Sequence, residues 1–242
     1  MKILTKGRIY PLALMGVLLM IISSCYKAGI NSDISPIINP INVPDTVTDI
    51  DSNVYHTIII GTQVWMVENL KTTKFRNGDP IPNAIDSAQW NNITTGAYCI
   101  FNNAPNNNVG YGYFYNWHAV HDTRNIAPSG WHVATDDEWT YLINYLGGRD
   151  IAGGKLKEEG NAHWFIPNTG ATNSSGFTAL PAGRRTNDGS YIERGSFSYW
   201  WTSTEYSDNA GAWCRRTDYS NSTVQVMAEL KSYGLSVRCV KD

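Results

Sequence analysis

Residues 135–148, TDDEWTYLINYLGG, predict the helix around which the rest of this chain has to fold. Thr135 and Glu138 have capping-box spacing, and the two aspartates between them bring negative charge to the positive end of the helix dipole. An apolar face follows at the helical period, formed by Trp139, Leu142, Ile143 and Leu146. Gly147-Gly148 then ends the helix. We therefore expect one main helix at about 135–146, with its acidic residues in structural roles.

The rest of the 242 residues favours short strands and loops, because Gly, Asn, Ser and Thr are abundant beside 14 Tyr and 9 Trp. VYHTIII and QVWMV, joined by Gly61-Thr62, predict a β-hairpin with a type II′ turn. Its first strand is apolar enough for us to expect burial on both faces. A formal net charge of -2 does not favour nucleic acid as a partner.

The N-terminus has the organisation of an export signal. Lys2, Lys6 and Arg8 precede the apolar run 9–22. The following Ser23-Ser24-Cys25 completes a resemblance to the bacterial lipobox, in which the cysteine is acylated and becomes the new N-terminus. We expect a lipoprotein signal peptide at 1–24 and lipidation at Cys25, with more than one acyl chain needed for stable anchoring. An ordinary signal peptide with an unrelated cysteine is the alternative.

Residues 25–52 contain three prolines and many Asn, Asp and Ser without a helical period, which predicts a flexible tether. We expect a single folded domain at 53–242. Export makes Cys99, Cys214 and Cys239 candidates for a disulfide. We favour Cys214 with Cys239, since both lie in the last segment, and the other pairings stay open.

Histidines are the remaining candidates for chemistry. His132 lies next to the helix start, and its apolar neighbours favour a strand or turn over a catalytic role. His118 and His121 have H-x-x-H spacing, but a zinc site needs further ligands, for which Asp122 or His163 are candidates. C-x-x-C pairs and phosphate-binding loops are absent from the sequence. We expect no catalytic residue, no metal and no cofactor.

Seven segments in order resemble the Fibrobacter succinogenes major paralogous domain family from about Tyr55 to Asp242. They are GTQVWMVENLKT, GAYC, YGYFYNWHAV, APSGWHVATDDEWTYLINYLGG, SSGFTALPAGRR, YWWTSTE and GLSVRCVKD. The chain departs from the family at Ile126-Ala127-Pro128, where members often have Leu-Cys-Pro, and at Cys214, where an aromatic residue is usual. These departures put the family's disulfide in doubt here.

The family is similar to the C-type-lectin-like and formylglycine-generating folds. The resemblance therefore implies an α+β, C-type-lectin-like domain of small twisted antiparallel sheets, one main helix and long irregular loops. It also implies a secreted or surface-anchored protein.

Residues 198–234 are the most suggestive region for binding, because Tyr, Trp, Ser, Asn, Gly and Arg dominate them, as in natural and engineered paratopes. We expect Trp200, Trp201 and Trp213 in the core. The candidate ligand-binding residues, expected on the outside, are Tyr206, Asp208, Arg215, Arg216, Asp218, Tyr219 and Asn221. The alternative is that this segment only provides polar loops and edge strands that close a small sheet. The calcium-lectin tripeptides Glu-Pro-Asn and Gln-Pro-Asp are absent.

Three functions follow as hypotheses. The first is a surface-anchored lipoprotein that binds a glycan or protein ligand and is attached to the membrane, in the family's context the outer membrane, through its lipid. The second is a structural component of a surface appendage or envelope complex. The third is an enzyme similar to formylglycine-generating proteins, which depend on paired active-site cysteines that bind copper. We expect the protein not to be an enzyme, because the three cysteines show no recognisable pair.

Overall fold

The computed structural model describes residues 45–107, 109–207 and 211–242, which lie in one compact unit. The expected signal peptide, Cys25 and Asp208 lie outside the described residues. In the part of the chain that is described, no helix is long and apolar enough to cross a membrane.

The described residues form an α+β fold of mainly antiparallel sheets with short helices. The helices are α1 (Ser87–Asn92), α2 (Trp117–Val120), α3 (Asp136–Tyr145) and α4 (Arg149–Leu156), with 3-10 turns at Phe101–Asn103 and Pro105–Asn107. The strands are β1 (Thr46–Thr48), β2 (Val54–Ile60), β3 (Gln63–Met66), β4 (Tyr98–Cys99), β5 (Phe114–Tyr115), β6 (Trp131–Val133), β7 (Arg184–Arg185), β8 (Tyr191–Ile192), β9 (Phe197–Glu205), β10 (Gly211–Asp218), β11 (Gln225–Leu230) and β12 (Cys239–Lys241).

Helix α3 confirms the sequence prediction in its start, its end and its buried face. The Thr135 hydroxyl accepts a hydrogen bond from the Glu138 N–H, and the Glu138 carboxylate accepts one from the Thr135 N–H, which forms the expected capping box. Trp139, Leu142 and Ile143 pack into a core with Trp65 of β3, Phe177 and Trp200 of β9. The acidic residues of the helix start therefore have structural roles.

Helix α4 was not predicted, since RDIAGGKL contains two glycines, which are poor helix formers. Both glycines allow close approach to neighbouring loops. A Cβ on Gly154 would lie 2.3 Å from the Gly170 carbonyl oxygen, and one on Gly153 would lie 2.6 Å from that of Ser222. Tertiary packing against these loops therefore stabilises a helix that the local propensity of this sequence disfavours.

A five-stranded antiparallel sheet in the order β1-β2-β3-β12-β6 contains the predicted hairpin. Gly61 has φ of 65°, as a type II′ turn requires at its first central position. The expectation that β2 is buried on both faces was wrong: Tyr55 and Ile60 are buried, but Val54 and Ile59, which alternate with them along the strand, are each 54% exposed, so each face of β2 is covered over only part of its length. Strand β1 pairs with β2 within the stretch expected to be tether.

A second sheet in the order β11-β10-β9 lies between two hydrophobic cores. Trp200 packs into the core of helix α3, whereas Tyr199 and Trp201 pack into another core that contains Leu235 and Val237. Successive side chains of a strand point to opposite faces. The sequence YWW therefore joins both cores through one strand.

The favoured Cys214–Cys239 disulfide is absent, because Cys214 lies on β10 and Cys239 on β12 of the other sheet. Cys99, Cys214 and Cys239 are all free and buried. Burial raises the pKa of the Cys99 thiol to about 11 and holds those of Cys214 and Cys239 higher still. These cysteines therefore behave as small apolar core residues.

Candidate functional site

A group of two arginines, two glutamates and three aromatic rings, most of them half-buried, comes together at one face of the β11-β10-β9 sheet. This arginine–aromatic cluster consists of Arg184, Glu193, Phe197, Tyr199, Arg216, Glu229 and Tyr233. Tyr199 of β9 lies directly opposite Arg216 of β10. Cross-strand neighbours share one face of a sheet, so the strands themselves fix these two side chains next to each other.

Arg184 lies at the centre of the cluster. Its Nε is 2.8 Å from Glu193 Oε2, and its Nη1 is 2.6 Å from Glu229 Oε1. Its guanidinium also lies over the rings of Tyr199 and Tyr233, at 4.7 and 5.5 Å. Because these side chains are largely shielded from water, the pairs are stronger than ordinary surface ion pairs. One arginine therefore holds both carboxylates of the cluster in fixed positions.

Glu193 adopts a backbone conformation that glutamate normally avoids, with φ of 67°. Its carboxylate accepts a hydrogen bond from the Tyr199 hydroxyl at 2.7 Å, in addition to the ion pair with Arg184. A left-handed conformation costs a non-glycine residue about 1–2 kcal/mol. Such strain persists only where surrounding contacts enforce it, and it is concentrated at functional positions.

Burial also changes the acid–base behaviour of the cluster. It raises the pKa of Glu229, although the charges of Arg184 and Arg216 oppose the shift. Burial and the hydrogen bond to Glu193 raise the pKa of Tyr199 well above its ordinary value. The Tyr199 hydroxyl consequently stays protonated and remains a hydrogen-bond donor.

Arg216 differs from Arg184 in its partners. Its guanidinium lies over the Phe197 ring at 4.7 Å and near the Tyr199 ring at 5.9 Å. Within the described residues it forms no ion pair, and its buried Nε has no hydrogen-bond partner. The cluster thus contains one arginine that forms ion pairs with two carboxylates and one that forms no ion pair within the described residues.

A loop after β10 extends the aromatic surface beyond the cluster. The Tyr219 N–H donates to the Ser196 carbonyl, just before Phe197, and the Tyr219 ring meets Phe165 edge-on at 6.3 Å. Phe165 is 55% exposed. Aromatic rings are therefore available to a ligand next to the cluster.

A buried lysine holds this loop in place. Lys157 Nζ donates to the carbonyl oxygens of Thr169, Asp218 and Asn221 at 3.0, 2.9 and 2.9 Å, and lies 5.4 Å from the centre of the Trp164 ring. Burial lowers the pKa of Lys157 to about 8, although the charge of Asp218 opposes the shift. The lysine ammonium thus organises three loop carbonyls in the way a bound cation would.

The protein-family model of the Fibrobacter succinogenes major domain matches residues 58–241. The match covers most of the chain and all of the cluster. The chain belongs to this family. No curated protein and no solved structure matches it.

The family domain brings together only some of the residues predicted as a site. Arg216 belongs to the cluster, and Tyr219 and Asn221 lie half-exposed in the adjacent loop. Tyr206 packs on Trp213, with ring centres 4.8 Å apart, where β9 ends and β10 begins. Since β10 runs for 8 residues at about 3.3 Å each, Tyr206 and Tyr219 lie near opposite ends of a strand about 25 Å long.

Two predicted site residues of the family domain are buried, which corrects the expectation that they lie outside. Arg215 is fully buried and its Nη1 lies 2.7 Å from Asp136 Oδ1 on α3. Asp218 is also buried, and its carboxylate accepts hydrogen bonds from Ser220 and Asn221. Trp213, expected in the core, is half-exposed instead. Side-chain alternation along β10 explains why Arg215 and Arg216 differ, because it directs Arg215 to the helix and Arg216 to the cluster.

The sequence interpretation missed Arg184, Glu193, Phe197, Glu229 and Tyr233 as cluster members. The segment SSGFTALPAGRR, which contains Arg184, was recognised only as a family marker. Glu193 carries no local signal, because its unusual backbone conformation arises from tertiary contacts. The pattern of residues 198–234 pointed to the sheet that carries Arg216, but not to the partners that complete the cluster.

The histidines of the domain make pairwise contacts. His132 lies 2.7 Å from both Glu138 Oε1 and Asp242 Oδ1, which raises its pKa to about 9. His163 pairs with Glu158, and His121 stacks on Trp117 at 4.4 Å. Among residues 45–107, 109–207 and 211–242, no group of three or more His, Cys, Asp or Glu is arranged to hold a metal ion.

A separate cleft of about 230 Å³ is lined by residues outside the cluster, among them Val54, Glu68, Asn69 and Tyr113. The Asn69 amide already donates to the Tyr111 carbonyl and accepts from Trp200 and Arg238. Glu68 is paired with His56. These two polar side chains of the cleft are thus already engaged within the protein, and we place the candidate site at the cluster.

Proposed function

We propose that this chain is a binding protein that uses the arginine–aromatic cluster and the adjacent Tyr219 loop to bind a glycan or protein ligand. The observation that carries the proposal is the combination, at one face of the β11-β10-β9 sheet, of a strained Glu193, an Arg184 that is ion-paired with two carboxylates and a half-exposed Arg216 that forms no ion pair within the described residues. Rigid aromatic rings beside fixed polar groups are the usual composition of recognition surfaces.

Binding fits the cluster better than catalysis does. Its carboxylates are held by Arg184, and the Tyr199 hydroxyl already donates to Glu193, so no free base lies next to a nucleophile. The formylglycine-generating alternative requires paired accessible cysteines. Here Cys99, Cys214 and Cys239 are buried on separate strands as protonated thiols. These observations support a protein that is not an enzyme and binds its ligand without a cofactor.

For the fold and its location, we propose a C-type-lectin-like domain on a lipid anchor at Cys25, displayed from the outer membrane. The α+β arrangement of antiparallel sheets, helix α3 and irregular loops supports the first part. The sequence of residues 1–25 supports the second. In a Cys25→Ala protein we expect release from the membrane fraction, and retention there would contradict the anchor.

Glycan arrays and cell-surface protein crosslinking with the full chain test the binding function. We expect Tyr219→Ala to weaken binding about tenfold, since an aromatic contact beside the cluster is removed. Tyr145→Ala is the matched control, because Tyr145 is an exposed tyrosine on α3 and should bind as the wild type does. Failure of a folded sample to bind in either screen, or equal losses in both variants, would contradict the proposal.

The second candidate is a structural component of an envelope complex, and strand β11 favours it. Within the described residues, no strand pairs with the outer edge of β11, on which Leu230 is 44% exposed. Open strand edges can accept a strand from another chain. Copurification from native membranes in fixed stoichiometry, lost on Val226→Pro in the edge strand, would support this role over ligand binding.

A further inference from the structure

We infer that Arg216 forms a subsite for the carboxylate group of an acidic glycan. This inference rests on the proposed binding function and specifies its ligand. Arg216 lies on β10 between Tyr199 of β9 and Gln225 of β11, so its position is fixed by strands on both sides. Its guanidinium rests on the Phe197 ring. The subsite is therefore held in place before any ligand arrives.

The lack of a carboxylate partner for Arg216 among the described residues points to an external anion. Its Nε is shielded from water without a hydrogen-bond partner, and an unpaired buried donor destabilises the fold by about 1–3 kcal/mol. The buried Nε atoms of Arg184 and Arg215 likewise have no hydrogen-bond partner, so Arg216 differs from these two arginines in having no carboxylate partner among the described residues. Arg184 holds two glutamates, Arg215 holds Asp136, and Arg124 holds Asp79 and Asp122.

The neighbouring carboxylates are not free to pair with Arg216. Glu193 and Glu229 are held by Arg184, and the Asp218 carboxylate accepts hydrogen bonds from Ser220 and Asn221. Rotating one of them towards Arg216 would break at least one of these contacts. A ligand carboxylate would instead add hydrogen bonds without removing any. The planar guanidinium fork fits a carboxylate in a two-point contact.

The rings next to Arg216 favour a sugar as the carrier of that carboxylate. Phe197 lies under the guanidinium, and Tyr219 and Phe165 continue the aromatic surface from Ser196 and Gly195. Pyranose rings stack their C–H faces on such side chains while polar groups bind the hydroxyls. The half-exposed amide of Asn221 adds a polar group in the same loop.

Binding of matched probes to the full chain, measured by isothermal titration calorimetry, tests the inference. The charged probes are tetragalacturonic acid and 3′-sialyllactose. The neutral probes are methyl-esterified tetragalacturonic acid and lactose. We expect at least one charged probe to bind about tenfold or more tightly than its neutral counterpart, and to weaken as salt is raised.

Arg216→Gln should remove this preference, and Arg216→Lys should keep only part of it, because lysine retains the charge without the planar fork. Arg124→Gln is the matched control, since Arg124 also lies on an aromatic ring, 3.8 Å from Phe75, but is paired with two carboxylates. It should bind as the wild type does. Melting temperatures establish that each variant is folded.

Equal binding of charged and neutral probes, or a charge preference that survives in folded Arg216→Gln and Arg216→Lys, would overturn the carboxylate subsite and leave the binding function standing. Arg216-dependent binding of an oligoglutamate peptide without binding of any sugar probe would overturn the glycan assignment. Absence of binding to all these probes, together with failure of the wider array and crosslinking screens, would overturn both the subsite and the binding function.

Discussion

Arg215 of β10 and Asp136 of α3 form an ion pair at 2.7 Å in which the arginine side chain is fully buried and the aspartate is 25% exposed. The same guanidinium donates to the Asp136 carbonyl and to the Thr140 hydroxyl. This pair joins the sheet of the candidate site to the first turn of the main helix. Because only the aspartate is partly exposed, the two charges are in very different environments.

The difference in exposure predicts an asymmetry between two substitutions. Asp136→Ala leaves a buried guanidinium without its charge partner and should lower the free energy of unfolding by about 3 kcal/mol. Arg215→Met should lower it by about 1 kcal/mol, because the remaining aspartate is partly hydrated and still lies at a helix N-terminus. Urea denaturation measures both values. Equal losses, or a larger loss for Arg215→Met, would contradict this account.

His132 predicts a pH dependence of stability on the alkaline side. Hydrogen bonds to Glu138 and Asp242 raise its pKa to about 9, above the value of about 6.5 for an unfolded chain. Its contribution is therefore complete below about pH 6.5 and is lost as the pH rises through about 9. Because the contacts are partly exposed, we expect about 1 kcal/mol.

Thermal melting of the wild type and of His132→Gln, at pH 6 and pH 9.5, measures the effect of this histidine. The wild type should lose more stability than the variant over this interval. Parallel losses in the two proteins would show that other groups cause the pH dependence.

Gly154 predicts an exception to the usual effect of replacing glycine in a helix. Gly→Ala in an exposed helix typically stabilises by about 1 kcal/mol. In α4 the added methyl would lie 2.3 Å from the Gly170 carbonyl oxygen, so we expect Gly154→Ala to destabilise by about 2 kcal/mol. Asp150→Ala in the same helix is the control and should change stability by less than about 0.5 kcal/mol. Stabilisation by Gly154→Ala, measured in urea, would refute the close approach.

The core thiols predict slow chemical labelling. Burial keeps Cys99, Cys214 and Cys239 protonated, and the thiolate is the reactive form. We expect these three residues to resist iodoacetamide in the native protein and to react in guanidinium chloride, as read for each cysteine by mass spectrometry. Detection of a disulfide between any two of them in the folded protein would contradict the arrangement.

The sequence was sufficient to predict those elements whose determining residues lie close together in the chain. The cap, the acidic first turn and the apolar face of α3 all lie within residues 135–146, and the β2–β3 hairpin is encoded around one two-residue turn. The cluster could not be found in this way, since Arg184 and Glu229 are separated by 45 positions. Arg215 and Arg216 are adjacent in a strand with packed faces on both sides, so composition alone does not reveal which arginine faces the helix. Packing decides that question, as it decides the helicity of the two glycines in α4.

Lys157 has a consequence for how the Tyr219 loop responds to its surroundings. Where loop carbonyls converge on a dissociable metal ion, chelators or low ion concentrations release the loop. Here the positive charge is covalently part of the chain and cannot diffuse away. The shape of this loop should therefore be indifferent to EDTA and to the calcium content of the medium, and a receptor built on it would keep its specificity in environments of widely different mineral composition.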